Sequence, residues 1–251
     1  MRIISFNVNG LRSIHNKGIL KTIHKLKADI LCFQEIKINK EKLRQSKIKL
    51  PDYYSYFNFA QKPGYSGTAV FTKQKPIDIS KKLEFKKFDA EGRLLKLDFA
   101  NFSLINLYMP HGGRYKENLS YKLKCFNKII KLIKKNHKNL VLIGDFNIAH
   151  TELDLARPQN NQNNIMFTPK ERAKISKIIG SGFIDTFRNF HASNGHYTWW
   201  PYRFNARQRN LGWRLDYCFI SHNLKSKLSN THIFKNFSGS DHCPIGIDIN
   251  L

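Results

Sequence analysis

Segments that alternate apolar and polar residues, or that form short apolar runs between turn residues, recur along the whole chain. In residues 2–8, Ile4, Phe6 and Val8 alternate with polar neighbours, which is the two-residue period of a β-strand. The same reasoning predicts further strands at residues 28–33, 66–72, 93–99, 102–108, 139–144, 214–221 and 244–250.

A helical period appears in other segments. Residues 17–27 and 119–133 place large apolar residues three or four positions apart, which predicts a buried face on each helix, with Asn118 as the N-cap of the second. Thr168 to Glu171 form a capping box with proline at the first helical position. This motif predicts a third helix from residue 169 to about residue 179.

This order of elements predicts an α/β fold. Connections are short and no linker divides the chain, so we predict one domain over residues 1–251. Each half contains strands followed by a helix, which favours a layered sandwich of two sheets covered by helices. The longest irregular stretches, residues 109–118 and 156–167, are candidate functional loops.

The balance of acidic and basic residues indicates which class of partner the protein binds. Lys and Arg number 43 and Asp and Glu 18, so the net charge of the 251 residues is +25. Such a field attracts polyanions, and without a basic amphipathic helix or polybasic tail it favours nucleic acid over a membrane surface. A solvated lysine-rich surface that reflects composition alone is the alternative.

The hydropathy of the chain and its cysteines indicate the cellular compartment. No apolar run approaches the roughly 20 residues that span a bilayer, and the N-terminal segment MRIISFNVNG is too polar for a signal peptide. The four cysteines are scattered, which predicts reduced thiols. We therefore expect a cytoplasmic protein, associated with the nucleoid if the chain is bacterial, with no membrane partner.

Polar residues recur near the ends of the predicted strands. One such residue alone is usually a cap or turn former, but together they suggest a shared site. They are Asn7 with Asn9, Glu35, Tyr108, Asp145 with Asn147, Asp216 (inside its predicted strand), and Asp241 with His242. A carboxylate-lined cleft in a basic protein suits metal-assisted hydrolysis of a phosphodiester. Signatures of P-loop hydrolases, zinc proteases and serine esterases are absent.

Several motifs resemble, in the same order, those of the exonuclease III family of abasic-site endonucleases. They are SFNVNGLR, FQEIK, LYMP, GDFNIAH, WWPYRFNARQRNLGWRLDY and GSDHCPI. The resemblance runs from residue 2 to residue 250 and implies the four-layered α/β sandwich of the DNase-I-like endonuclease/exonuclease/phosphatase superfamily. It also implies a divalent metal, Mg²⁺ with Mn²⁺ as an alternative, and we expect the protein to be a monomer. The protein would cleave double-stranded DNA 5′ to an abasic site. It would also process 3′ ends by a 3′→5′ exonuclease or trimming activity.

The resemblance implies a metal site and a catalytic group. Glu35 would bind the metal directly, and Asn7 and Asp241 would support the metal and its waters. These oxygen donors suit Mg²⁺, which needs only one or two carboxylates.

The catalytic residues implied are Asp145, Asn147, His242, Asp216 and Tyr108. Asp145 would activate the attacking water, and Asn147 would hold that water or a phosphate oxygen. If residues 139–147 stay extended, these two side chains point to the same side. His242 would stabilise charge on the phosphate, Asp216 would orient His242 and keep it protonated, and Tyr108 would contact the phosphate or the leaving group.

The same resemblance implies contacts with DNA. Trp199, Trp213 and Leu215 would line a pocket for the flipped abasic sugar, and Arg203 and Phe204 would enter the grooves. The remaining contacts implied are Arg114, Asn161 and Asn164. The alternative for the aromatic residues is a core patch with arginines at its surface.

The sequence also departs from the family pattern. His111 stands where relatives often have Asn or Gln, Asn9 replaces an Asp, and Ile165-Met166 replaces a commoner Ala-Gly. The change at Asn9 bears on the affinity for the metal, and the change at Ile165-Met166 bears on the geometry of the loop. We interpret His150 as a structural histidine.

Two other functions remain open from the sequence. Another phosphodiesterase of the superfamily, such as an inositol phosphatase, sphingomyelinase or RNA deadenylase, would share the acids but not the segment NARQRNLGWRLDY. A non-catalytic DNA-binding protein would explain the positive charge but not the acids.

Overall fold

In the computed structural model, which describes residues 1–135 and 138–251, the strands form two mixed sheets. In chain order they are β1 (Arg2–Asn7), β2 (Ile30–Gln34), β3 (Tyr54–Asn58), β4 (Thr68–Thr72), β5 (Asp78–Ser80), β6 (Leu94–Asp98), β7 (Ser103–Tyr108), β8 (Leu140–Asp145), β9 (Phe183–Asp185), β10 (Asp216–Ser221), β11 (Leu228–Ile233) and β12 (Ile245–Ile249). The first sheet has the order β11-β12-β1-β2-β4-β3 and the second β5-β6-β7-β8-β10-β9. Each contains a parallel pair, β1–β2 and β7–β8, among antiparallel neighbours.

Helices connect and cover these sheets. They are α1 (Leu11–Asn16), α2 (Ile19–Thr22), α3 (Lys40–Ser46), α4 (Lys86–Ala90), α5 (Leu119–Lys135), α6 (Pro169–Ile179) and α7 (Thr186–Phe190). At the start of α6 the predicted capping box is present, because the side chains of Thr168 and Glu171 each accept a hydrogen bond from the other's backbone N–H. No helix among the described residues is long and apolar enough to cross a membrane.

Apolar clusters lie between the layers. One fills the space between the sheets and includes Ile3 and Leu104. A second joins α5 and α6 to the outer face of the second sheet, and a third joins α1, α2 and the turn after α2 to the outer face of the first. The predicted four-layered α/β sandwich is therefore confirmed.

Two predicted elements need correction. The single helix over residues 17–27 is wrong, since Gly18 adopts a left-handed φ of 70° and only residues 19–22 form α2, followed by a 3₁₀ turn. The last part of the segment 214–221 is β10, but that strand begins at Asp216, because the preceding backbone N–H groups bond to Asp154 and Thr198 instead of a neighbouring strand. Asp216 therefore lies at the strand's first position.

Candidate active site

Strand ends bring polar residues to one edge of the sandwich. Asn7 ends β1 beside the last residue of its parallel neighbour β2, so Asn7 and Glu35 leave the first sheet together. In the second sheet, Tyr108 at the end of β7 lies opposite Asp145 at the end of β8. Asp216 begins the antiparallel strand β10, also opposite Asp145. The predicted convergence of these residues is present.

Asp145 is the centre of the hydrogen-bond network. Its Oδ1 accepts from the backbone N–H of Asn147 at 2.9 Å, and its Oδ2 accepts from Nδ2 of Asn7 at 2.9 Å and of Asn147 at 3.1 Å. The extended conformation considered for residues 139–147 is wrong at its end, because Asn147 adopts a left-handed φ of 53°. This turn brings the amide of Asn147 back to the Asp145 carboxylate.

The electrostatic surroundings of Asp145 favour its protonated form more than water does. Burial raises the pKa of Asp145, and the charge of Asp216 adds to this effect. Nε2 of His242 lies 3.9 Å from Oδ2 of Asp145, and its charge opposes the shift. A buried carboxyl group of raised pKa beside an imidazole is suited to proton transfer.

His242 is held by Asp216. Nδ1 of His242 lies 2.8 Å from Oδ2 of Asp216. Burial by itself would lower the pKa of His242, but the Asp216 carboxylate, together with the charges of Asp145 and Asp241, raises that pKa to about 10. The ring is therefore a cation at neutral pH. Oδ1 of Asp216 is buried and has no hydrogen-bond partner among the residues described.

Glu35 is surrounded by donors. Its Oε1 accepts from Nδ2 of Asn7 at 2.9 Å, and its Oε2 lies 2.7 Å from Nζ of Lys37. Burial would raise the pKa of Glu35, but the Lys37 ammonium group, with the amide of Asn7 and the charge of His242, lowers that pKa. Lys37, which the sequence analysis missed, therefore keeps this carboxylate ionised.

Asp241 accepts hydrogen bonds from a different set of residues than Glu35 and Asp145 do. Its Oδ1 accepts from Nδ2 of Asn9 at 2.9 Å and its Oδ2 from Nε1 of Trp199 at 3.0 Å. Oδ1 of Asn9 in turn accepts from Lys37 at 2.5 Å. Asn9, one of the departures from the family pattern, thus connects Asp241 to the cation beside Glu35.

The donors present fit a hard divalent cation. Oxygens of Glu35 and Asp145 converge on the same amide group, Nδ2 of Asn7, and carboxylate oxygens are the ligands that Mg²⁺ prefers. Ligand atoms of Asp145, Asp216 and His242 also lie within 4.8 Å of one another. A protonated His242 cannot ligate a cation, which favours the side of Glu35 as the position of the ion.

Tyr108 lies on Arg93, which the sequence analysis also missed. The guanidinium carbon of Arg93 is 4.5 Å from the Tyr108 ring centroid, and Nη1 donates to the Tyr108 carbonyl oxygen at 3.1 Å. Burial and the charge of Glu35 raise the pKa of Tyr108 well above its ordinary value. The phenol is therefore a hydrogen-bond donor at neutral pH.

The predicted pocket residues lie in one apolar cluster. Trp199 and Trp213 pair through their backbones, and Trp213 meets the ring of Phe167 edge-on at 6.3 Å between centroids. Leu215 belongs to the same cluster but is only 1% exposed. The two tryptophans are partly exposed, so they can form a pocket surface, with Leu215 packed behind them.

The other predicted DNA contacts lie on loops. Arg203 and Phe204 are exposed, and 81% of Phe204 is open to solvent. Arg114 is also exposed, in the loop that precedes α5. In residues 156–167, Nδ2 of Asn164 donates to Oδ1 of Asn161 at 3.1 Å, so these two predicted contacts are neighbours.

Comparison with known proteins identifies the family. The model of the Endonuclease/Exonuclease/phosphatase family matches residues 4–242. This chain belongs to that family. It is 39% identical to an exodeoxyribonuclease of Bacillus subtilis (strain 168) over all of both chains, and 38% identical to a DNA-(apurinic or apyrimidinic site) endonuclease of Dictyostelium discoideum over all of this chain and 71% of the relative. The structure of an AP endonuclease from Archaeoglobus fulgidus matches with a TM-score of 0.87 and 28% identity over all of both chains. The predicted DNase-I-like fold and family are confirmed.

A buried ionic network lies directly beside Trp213. Nε of Arg214 lies 2.7 Å from Asp154, and its Nη2 lies 2.7 Å from Asp185. Arg188 also bonds to Asp154. Burial would raise the pKa of Asp154, but these arginines lower it. Because Arg214 follows Trp213 directly, the network fixes the backbone at that tryptophan. The quoted motif contains Arg214, but it indicated none of these partners.

His150 lies away from these groups. Its Nε2 is 2.9 Å from Oγ of Ser176 on α6, and its backbone N–H donates to the hydroxyl of Tyr217. Burial lowers the pKa of His150. These contacts agree with a structural role, which stays a prediction.

Proposed function

We propose that this protein is a DNA repair nuclease that uses a divalent metal to hydrolyse the phosphodiester 5′ to an abasic site in duplex DNA, and that it also trims 3′ ends. The observation that carries the proposal is the convergence of Asp145, Asn147, His242 and Glu35 at the strand ends. The names of its relatives, an exodeoxyribonuclease and an abasic-site endonuclease, support both activities.

Asp145 is the proposed general base. Its raised pKa makes it a better proton acceptor than a solvated carboxylate, because a base works best when its pKa lies closer to the working pH. The amide of Asn147, which bonds the same carboxylate, would orient the attacking water or a phosphate oxygen.

His242 and Tyr108 would face the phosphate. The pKa of His242 keeps the ring protonated, so it can donate to an oxygen on which negative charge grows. Asp216 fixes the orientation of that ring through Nδ1. The protonated phenol of Tyr108 would donate to the phosphate or to the leaving oxygen.

Glu35 would hold the metal, with Asn7 and Asp241 in support. We propose Mg²⁺, with Mn²⁺ as an alternative, because the donors are oxygens. When bound, the ion supplies positive charge against the phosphate oxygens. Lys37, which bridges Glu35 and Asn9, would have to yield part of its contact with Glu35.

Trp199 and Trp213 would receive the abasic sugar. A nucleotide without a base has little to lose on leaving the stack, so it enters a small apolar pocket more easily than an intact one. Arg203, Phe204, Arg114, Asn161 and Asn164 would contact the flanking duplex. We further propose that the protein acts as a one-domain monomer in the cytoplasm.

The test is an incision assay on a duplex that carries one abasic analogue. With Mg²⁺ we expect a single nick 5′ to the analogue, and no nick in the intact duplex of the same sequence. A recessed-end duplex, assayed separately, measures 3′→5′ exonuclease activity. Full activity in EDTA would contradict the metal-dependent mechanism, and the absence of any nick with Mg²⁺ or Mn²⁺ would contradict the proposed function.

A further inference from the structure

A buried ion pair lies behind the active site. Nζ of Lys122 on α5 lies 2.5 Å from Oε1 of Glu171 on α6, and both side chains have no exposed surface. The same ammonium group donates to the carbonyl oxygen of Asn147 at 2.6 Å and to that of His111 at 3.0 Å. Its three protons are therefore all used, two of them on loop backbone.

Glu171 holds a different loop. Its Oε1 also accepts from the backbone N–H of Met166 at 3.1 Å, and its Oε2 accepts from the backbone and the hydroxyl of Thr168. Between these residues lies Phe167, whose ring packs against Trp213. The pair thus connects the proposed catalytic turn to the base of the proposed sugar pocket.

The turn at Asn147 needs such support. A left-handed φ is sparsely populated for residues other than glycine and persists where the surroundings hold it. The N–H of Asn147 is held by Asp145, and its carbonyl oxygen is held by Lys122. Loss of the ammonium group would leave that carbonyl group buried without its charged donor.

Stability alone does not explain a pair of this kind. Removing two charges from water costs much of what their attraction returns, and apolar replacements of similar size often leave stability unchanged or improved. An apolar pair at these positions could pack α5 against α6, but it could not bond to Asn147, His111, Met166 or Thr168.

We propose that Lys122 and Glu171 are positioning residues: Lys122 holds Asn147 and His111 in the geometry that catalysis needs, and Glu171 holds residues 166–168 below the pocket. The inference rests on the proposed function and deepens it. Both residues act through others, since neither side chain reaches the surface.

The experiment compares the parent with the double variant Lys122→Met/Glu171→Met. The matched control is Ile133→Ala, which removes a buried side chain eleven residues further along α5 and away from the strand ends. For each protein, thermal unfolding gives Tm, binding gives Kd for an abasic duplex, and steady-state incision at saturating duplex gives kcat per folded molecule.

We expect the double variant to fold and to lose on the order of 10²-fold in kcat, because small displacements of reacting groups have effects of this size. Its Kd should change by only about threefold, and Ile133→Ala should keep kcat within about threefold despite a lower Tm. Should the double variant not fold, Lys122→Met/Glu171→Gln leaves no unpaired charge and keeps an amide oxygen that can accept from the backbone of residues 166–168, so it provides the readout for the contact between Lys122 and Asn147.

A folded variant with kcat within about threefold of the parent would overturn the inference. So would a loss of activity that only follows the folded fraction, because that result would make the pair a stabilising element. If the parent itself does not nick the abasic duplex, the proposed function fails instead, and the two failures are distinguishable.

Discussion

The proposed catalytic cluster and the proposed recognition loops are held in place by different means. Asp145, Asp216 and Tyr108 sit on the last or first residues of adjacent strands, where register and backbone bonds set their positions. Arg203, Phe204 and Trp213 lie on a segment with little regular structure between residues 197 and 215.

The two regions also differ in how their charges are satisfied. The carboxylates of the cluster bond to amides, an imidazole and a lysine, whereas the pocket loop rests on the buried network of Arg214, Asp154 and Asp185. Side chains that take part in a reaction must be held close to one geometry, and strands position side chains more precisely than loops do. Groups that read DNA shape can lie on loops, provided that something beneath the loop holds it.

The largest expected effect comes from Asp145→Asn. Removal of the proposed base should lower kcat for incision by about 10²–10⁴-fold, while Kd for DNA stays similar or improves because a negative charge near phosphate is lost. Asp78→Asn, an exposed carboxylate on the edge strand β5, is the matched control and should keep full activity. Near-normal turnover of Asp145→Asn would remove Asp145 from the catalytic group.

Asp154→Asn tests the support below the pocket. Loss of one partner from this buried pair should cost about 3–5 kcal/mol of unfolding free energy at pH 7. Since the pKa of Asp154 is lowered by folding, its contribution is present above the unfolded value of about 4 and is lost as the pH falls further. The difference in unfolding free energy between variant and parent should therefore shrink in acid, as measured by denaturant titration at several pH values. A constant difference would show that Asp154 acts through packing.

Trp213→Ala should weaken discrimination between abasic and intact nucleotides. A wider pocket loses packing on the sugar and no longer excludes a base, so the ratio of the two cleavage rates should fall by about tenfold. The control Phe99→Ala removes a buried aromatic residue at the far end of the second sheet and should lose stability without changing the ratio. An unchanged ratio in folded Trp213→Ala would make Trp213 a core residue only.

The smallest effect is expected for Arg203→Gln. Loss of one positive charge that contacts the duplex should reduce the magnitude of the slope of log K against log salt by at most about 0.9 and weaken binding severalfold. Lys225→Gln, an exposed lysine beyond the opposite end of β10, should leave the slope unchanged. Equal effects of the two substitutions would mean that the net charge acts as a whole.

The local pattern of the chain was enough to predict the interior strands and the capped helix α6. The strands it missed are β3, β5, β9 and β11, and these are the outer strands of the two sheets. An edge strand has one neighbour and a more exposed face, so it carries a weak apolar alternation. The short helices α1, α3, α4 and α7 were missed for a similar reason, since few turns show little periodicity.

What the sequence by itself determined was the identity of the polar residues at strand ends and, through the motifs, the family. The sequence could not pair side chains that lie far apart along the chain. Lys37 with Asn9, Arg93 with Tyr108, Arg214 with Asp185, and Lys122 with Glu171 meet only in the folded protein. In the sequence, charged residues of this kind resemble any solvated lysine or arginine, because only the tertiary structure decides which of them lie beside a partner.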